Sequence, residues 1–404
     1  MIRLRWFLVW FTAIAAGQSF TQRGYLESGT FLYPQDALND GGHAVSEALL
    51  RYEAFATLAG GLRFSAGVDA RTDTHRQDER ELHWYWFDRS RQRPAVAVRR
   101  FSATYTKGRF TADLGKQFIR WGKADVLSPT DRFAPRDFLN VVQTELLAVT
   151  GARVTYGSQS NSVDLVWVPR FTPSRTPLLN QRWVVLPEGI PFRDLGARYP
   201  GGSQFGARFN HIGQKAEYSL SFYDGNNHLP LFDAAVQTAP VEVGFTRFYP
   251  QMRMYGGDAA VPLRHFTVKG EAAYFTSSDK RADEYMLYVV QLERQAGEWF
   301  FVGGYAGEVV TQKRMAAGFA PDRGLTRAFL GRAGYNIDAN RSVALETAVR
   351  QNGDGLWLRL EYSQAFGNHW RATAGATLIR GAADDFLGQY DRNSHISVVL
   401  RYSF

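Results

Sequence analysis

Residues 62–70 read Leu62-Arg-Phe-Ser-Ala-Gly-Val-Asp-Ala70. Leu62, Phe64, Ala66, Val68 and Ala70 share one face of an extended chain. Arg63, Ser65, Gly67 and Asp69 share the other, because successive strand side chains point to opposite sides. The same period of two runs through 266–274, 356–362 and 370–378. Segments of this kind, each about 9–12 residues, recur down the chain, and a tilted strand of that length crosses a bilayer.

The connections decide what these strands build. Short turns fall near Gly60-Gly61, Lys107-Gly108, 157–161, 212–215, 262–264, 295–297, 337–340 and 365–369. Long connections fall near 73–94, 119–145, 169–201, 224–248, 276–283, 310–325 and 381–393. Short turns on one side and long loops on the other mark an outer-membrane barrel, and a soluble sandwich has no reason for them. The link near Gly353–Gly355 is short but must lie on the long-loop side. The expected fold is all-β: a transmembrane antiparallel barrel of about 18 strands, 16 being the smaller count the pattern allows. Its first strand lies in 20–32 and its last is Ile396-Ser-Val-Val-Leu-Arg-Tyr-Ser-Phe404. One strand resists the pattern, because Arg99 falls on the apolar face of 95–106. This requires a bulge near Arg99-Arg100 or a different register.

The chain has 404 residues, a net charge of +8, 14% aromatic residues, 38 glycines and no cysteine. Disulfides and thiolate chemistry are therefore excluded. Arg3 and Arg5, the apolar run 6–16 and the small residues Ala15-Ala16-Gly17 read as a signal peptide over 1–17. A single barrel domain then occupies 18–404, and export argues against a nucleic-acid role despite the basic balance. No zinc-protease, phosphate-loop, nucleophile-elbow or dinucleotide motif is present. Asp384-Asp385 and His395 read as a solvated loop rather than a hydrolytic site. No catalytic residue, cofactor or metal is expected.

If the apolar faces meet lipid, the polar faces line a lumen. The basic candidates are Arg51, Arg63, Arg71, Arg153, Arg208, Lys269, Arg350, Arg359, Arg371 and Arg401. The acidic ones are Glu53, Asp69, Asp113, Asp164, Glu217, Glu271, Glu346 and Glu361. The slight basic excess argues for a weak preference for anions. Residues 169–200 hold six of the fifteen prolines around the apolar run beginning at Trp183. A stiff loop of this kind is either a lumen constriction or an outer cap.

A second segment begins Leu114-Gly-Lys-Gln-Phe-Ile-Arg-Trp-Gly-Lys-Ala-Asp125 and continues through Asp131 to Ala134-Pro-Arg-Asp137. Gln117, Trp121, Gly122, Asp125, Asp131 and Asp137 are candidate loop-root or constriction residues. The aspartates alternate with Lys123, Arg132 and Arg136, and a locally paired knot is expected there. Their spacing is not that of a calcium loop. With Gly115, Lys116 and Pro135, the segment resembles the signature of an uncharacterised porin-like family of exported outer-membrane barrels. The final Tyr402-Ser-Phe404 is similar to the C-terminal signal of such barrels. The resemblance implies outer-membrane lipid and lipopolysaccharide as surroundings and the barrel assembly machinery as reader of Tyr402 and Phe404. The function expected is passive diffusion of small hydrophilic solutes. A loop-plugged barrel serving envelope export or assembly is the alternative, and a barrel enzyme comes last.

Overall fold

The computed structural model describes residues 19–404 apart from 126, 188, 239–240 and 315–316. The signal-peptide segment lies outside the described residues. Eighteen strands form one closed antiparallel wall: β1 (Ser19–Leu32), β2 (Ala44–Thr57), β3 (Leu62–Asp73), β4 (Val96–Lys107), β5 (Phe110–Gln117) and β6 (Val149–Gly157). Next come β7 (Asn161–Val168), β8 (Gln204–Ile212), β9 (Glu217–Asn226), β10 (Gln251–Pro262), β11 (Thr267–Thr276) and β12 (Glu284–Ala296). The wall ends with β13 (Trp299–Gln312), β14 (Ala328–Asn336), β15 (Arg341–Arg350), β16 (Gly355–Phe366), β17 (Trp370–Gly381) and β18 (His395–Ser403). Each pairs with its chain neighbours, and β18 pairs with β1 from Tyr25↔Ser403 to Leu32↔Ile396. Closure leaves no free edge in the wall.

Short and long connections alternate, the four-residue link 351–354 on the long-loop side being the exception, so all long loops gather at one end. At the other end, Gly108 adopts φ +59° in the tight link from β4 to β5. The primed hairpin turn demands that conformation, and glycine adopts it without steric cost.

The outward face of the wall is apolar. Leu26, Phe64, Phe101, Leu114, Leu165, Leu220, Phe329 and Ile396 are all exposed. Arg99 does not join them. Gly67 pairs with Arg100 and Val68 with Val98, so Arg99 is the extra residue of a β-bulge. Its guanidinium lies 3.9 Å from Asp69 and over the Phe118 ring. The seam is sealed by Phe404, whose N–H donates to Gly24 O at 3.0 Å while Gly24 N–H donates to Phe404 O at 2.9 Å. The Phe404 ring lies where a Gly24 Cβ would come within 2.7 Å of it, so a glycine is required beneath the terminal ring.

Beyond the barrel, Phe192–Arg198, Leu231–Thr238 and Val241–Phe248 form a small separate sheet among the long loops. The largest core lies inside the barrel, between an inserted loop and the wall.

Candidate functional site

The inserted loop is 118–148, between β5 and β6. Its entry is built from the residues that end β5. Gly115 takes φ +119°, and a Cβ there would lie 2.3 Å from Phe101 O. The Gln117 amide donates to Gly151 O at 3.1 Å, which ties the loop root to β6. Asp131 accepts the Trp121 and Gly122 N–H groups at 2.5 and 2.7 Å, closing the first bend on itself. Any side chain on Gly122 would meet Ser128 Cβ at 2.4 Å.

The loop is then pinned to the far wall. Glu271, on the inward face of β11, accepts N–H bonds from Lys123, Ala124 and Thr130 at 2.8–3.0 Å, and the Thr130 hydroxyl at 2.8 Å. A carboxylate with four donors is well satisfied despite burial. Trp121 and Phe133 pack edge to face and are nearly inaccessible. They lie among Val166, Val168, Tyr223, Met254, Phe275 and Leu287. A Cβ on Gly206 of β8 would come within 2.6 Å of both rings. The wall is thus shaped to receive the loop, which fills the side of the lumen walled by β6–β12.

A buried charge network holds the loop mouths together. Asp137 accepts from Arg93 Nε and Arg175 Nη1, both at 3.0 Å. Arg175 Nη2 donates to Asp88, and Asp88 accepts Lys116 Nζ at 2.7 Å. These residues come from loops 74–95, 118–148 and 169–203 and from the end of β5. Burial alone would raise the Asp137 pKa, but Arg93 and Arg175 outweigh it and hold the carboxyl well below the usual range. Asp78, in the same mouth, has no such pair among the described residues, and burial pushes it up to about 7. His228 places Nδ1 2.6 Å from Thr172 O and Nε2 2.8 Å from Arg132 O, and burial pushes its imidazole down to about 4, so the neutral ring donates to one of the two carbonyls.

Beside the loop the lumen keeps a cavity of about 690 Å³ against β1–β3 and β15–β18. Its polar lining includes Glu27, Arg71, Arg359, Glu361, Arg371 and Arg401. Most of these charges are paired. Arg51 and Arg71 share Asp69 and Glu145, Arg401 bonds Glu27 at 2.5 Å, and Arg359 bonds Glu361 at 2.7 Å. Glu53 pairs with Arg23. Arg371 bonds only the Ser363 hydroxyl, and Arg63 lies over the Phe55 ring. Neither has a carboxylate partner among the described residues.

On the filled side, Arg153 pairs with Asp164 and Arg208 with Asp258. Lys269 pairs with Asp125 and Glu293, and Lys123 with Glu217. Glu346 lies 3.4 Å from Arg332, and Arg350 bonds Asp385 at 2.8 Å. Asp113 accepts the Thr104 hydroxyl at 2.5 Å.

The locally paired knot is corrected by these contacts. Among the described residues none of the expected local ion pairs with Lys123, Arg132 and Arg136 forms: Asp131 is held within the loop by Arg120 and the two N–H groups, and Asp137 accepts the Leu139 N–H at 3.0 Å. Asp125 reaches Lys269 and Gln291, Asp137 reaches Arg93 and Arg175, and Arg132 lies 3.5 Å from Asp322. Asp125 and Asp137 bind the loop to the wall and to other loops, while Asp131 binds it to itself. Trp183 packs with Val141, Ile379, Leu387 and Tyr390. It therefore shares a core with Val141 of the inserted loop and stands apart from the cluster around Trp121. Tyr402 contacts Trp370 at 4.9 Å and Phe404 at 6.4 Å between ring centres.

No family model and no curated protein matches the chain. Among solved structures it is similar to a BenF-like porin from Pseudomonas fluorescens, at 8% identity over 96% of this chain and 99% of that one, with a TM-score of 0.56. It is also similar to OccAB4 of Acinetobacter baumannii, at 9% identity over 96% and 98%, with a TM-score of 0.54. At these identities the likeness is one of fold: a porin-like barrel.

Proposed function

We propose that the protein is an outer-membrane channel through which small hydrophilic solutes diffuse, with a weak preference for anions. The observation that carries this reading is the polar cavity left beside the inserted loop, lined by charges that solvate one another and by the unpaired Arg371. The apolar outer band supports placement in a bilayer, because water would not tolerate so much continuous apolar surface on a monomer. A second reading, a barrel plugged by its own loops, draws support from the charge network that ties three loops over the mouth.

Single-channel recording separates the two. The detergent-purified protein, inserted in a planar bilayer, should show steady conductance steps. A protein that inserts, migrates as a heat-modifiable band and never conducts would favour the plug.

Selectivity follows from the unpaired cations. Replacing both Arg63 and Arg371 by glutamine should move the reversal potential toward zero or into the cation range. The native anion tilt should itself shrink as salt rises, since the Debye length falls from about 10 Å at 0.1 M to about 3 Å at 1 M. A native channel that strongly prefers cations would refute the anion assignment.

Membrane placement is tested separately. The protein should fractionate with the outer membrane, and Phe404→Asp should sharply lower the assembled fraction, because a charge would replace the ring that seals β18 against Gly24. Normal assembly of that variant would show that the terminal ring is dispensable.

A further inference from the structure

A second chamber, of about 280 Å³, adjoins the polar cavity, with strands β15 and β16 in the walls of both. The segment around Val142 and Thr144 borders both and divides them. Its walls differ in kind from those of the polar cavity. Leu127, Val141, Leu229, Val302, Leu325 and Trp357 line it, drawn from the inserted loop, two outer loops and strands β13 and β16.

Four carboxylates and three guanidiniums line it but do not all pair with one another, and Asp125 is engaged from outside by Lys269 at 3.3 Å. Arg132 has Asp322 at 3.5 Å, and Arg332 has Glu346 at 3.4 Å. Asp131 lines the chamber too, but Arg120 and the Trp121 and Gly122 N–H groups already engage it. Arg136 has no carboxylate partner among the described residues. Its side chain makes one hydrogen bond, Nη1 to the Thr144 hydroxyl at 3.2 Å. A guanidinium carries five donors, so most of its capacity is unused. Burial pushes its pKa below the usual arginine value; Asp131 and, more weakly, Asp322 oppose this, while Arg120 and Arg132 add to it. Two further donors at these walls, Arg132 Nε and Trp357 Nε1, also have no acceptor.

We propose that this chamber binds a small amphiphilic anion, its charged end on Arg136 and its short apolar body against Leu229, Val302 and Trp357. An anion supplies the acceptor that Arg136 lacks, and a part-buried guanidinium holds a carboxylate better than a fully exposed one does. The walls exclude a purely polar solute in favour of one with an apolar part. The site would be separate from the polar cavity and does not depend on whether the barrel conducts.

The test is equilibrium calorimetry on the full-length protein in detergent micelles, with empty micelles as the blank and hexanoate as the probe. Hexanoate should bind saturably, one per chain, while acetate, hexan-1-ol and hexylammonium bind much more weakly. Arg136→Gln should weaken hexanoate binding by about tenfold or more, the effect of losing a charged hydrogen-bond partner. Val302→Phe, which fills the chamber and keeps Arg136, should weaken it as well. Both variants should keep heat-modifiable mobility, and the assay is applied only to the folded band. Hexanoate binding no stronger than to empty micelles would overturn the proposal. So would equal binding of hexan-1-ol, or affinity unchanged in Arg136→Gln.

Discussion

Asp137→Ala is expected to destabilise the closed mouth by roughly 3–5 kcal/mol, the usual result of removing one partner from a buried charge network. The carboxylate is 2% exposed and holds Arg93 and Arg175 at 3.0 Å. Without it, Arg175 keeps only Asp88, and Arg93 keeps Glu47 at 3.6 Å. Two guanidiniums are then left short of compensation. Hydrogen exchange should show loops 74–95 and 169–203 opening more often, while the amides of β9–β13 stay protected. The pH dependence has a definite sign. The Asp137 pKa is depressed in the folded chain, so its stabilising contribution is complete above the ordinary carboxylate value of about 3.9 and is lost as pH falls below it. The gap between native protein and variant should therefore be flat through neutral pH and narrow only in strong acid. Asp137→Asn should fall close to alanine, because the charge, not the shape, is what the arginines need. Loops that open equally often in native protein and Asp137→Ala would remove the network from any role in closure.

The wall was legible in the sequence because its two faces meet different solvents. A lipid-facing strand cannot slip by one residue without turning its charges outward, so alternation fixes the register. Arg99 illustrates this. Its place on an apolar face demanded a bulge or a different register, and a bulge is there. Glu271 shows where such reasoning stops. Alternation turns it inward, but its partners are N–H groups of a loop more than a hundred positions away, and no local pattern identifies them. The aspartates at 125 and 137 fail for the same reason: their cations lie on other strands and loops.

The inserted loop did leave a signal that was missed. Val163-Asp-Leu-Val-Trp-Val168 and Tyr285–Val289 are apolar on both faces. A strand bordered by lipid outside and water inside has no use for a second apolar face. Val166, Val168, Leu287 and Val289 are buried because a loop, not water, covers them. Strands apolar on both faces therefore mark the part of the wall where the lumen is filled. The signature beginning at Gly115 is the matching part: glycine for close backbone approach, glutamine for the root, tryptophan for the buried anchor.

Replacing residues 120–134 by a short glycine-serine linker should have the largest effect on conduction. The loop core built on Trp121 and Phe133 would leave the lumen, and the pore of an eighteen-stranded wall is wide when nothing fills it. Conductance should rise severalfold. Glu271 would lose its three N–H donors and the Thr130 hydroxyl and stand as a free carboxylate on β11. The anion preference should fall with the same deletion, and adding Glu271→Gln should restore part of it. The deletion also exposes Val166, Met254, Phe275 and Leu287, so the barrel should melt earlier while keeping its heat-modifiable band. Deleting 175–193 should act more weakly. It removes Arg175 and Trp183 from the mouth but leaves Trp121 and Phe133 seated in the wall. If the larger opening came from the 175–193 deletion, the constriction would lie at the mouth. The inserted loop would then be a brace for the wall rather than the element that sets the size of the pore.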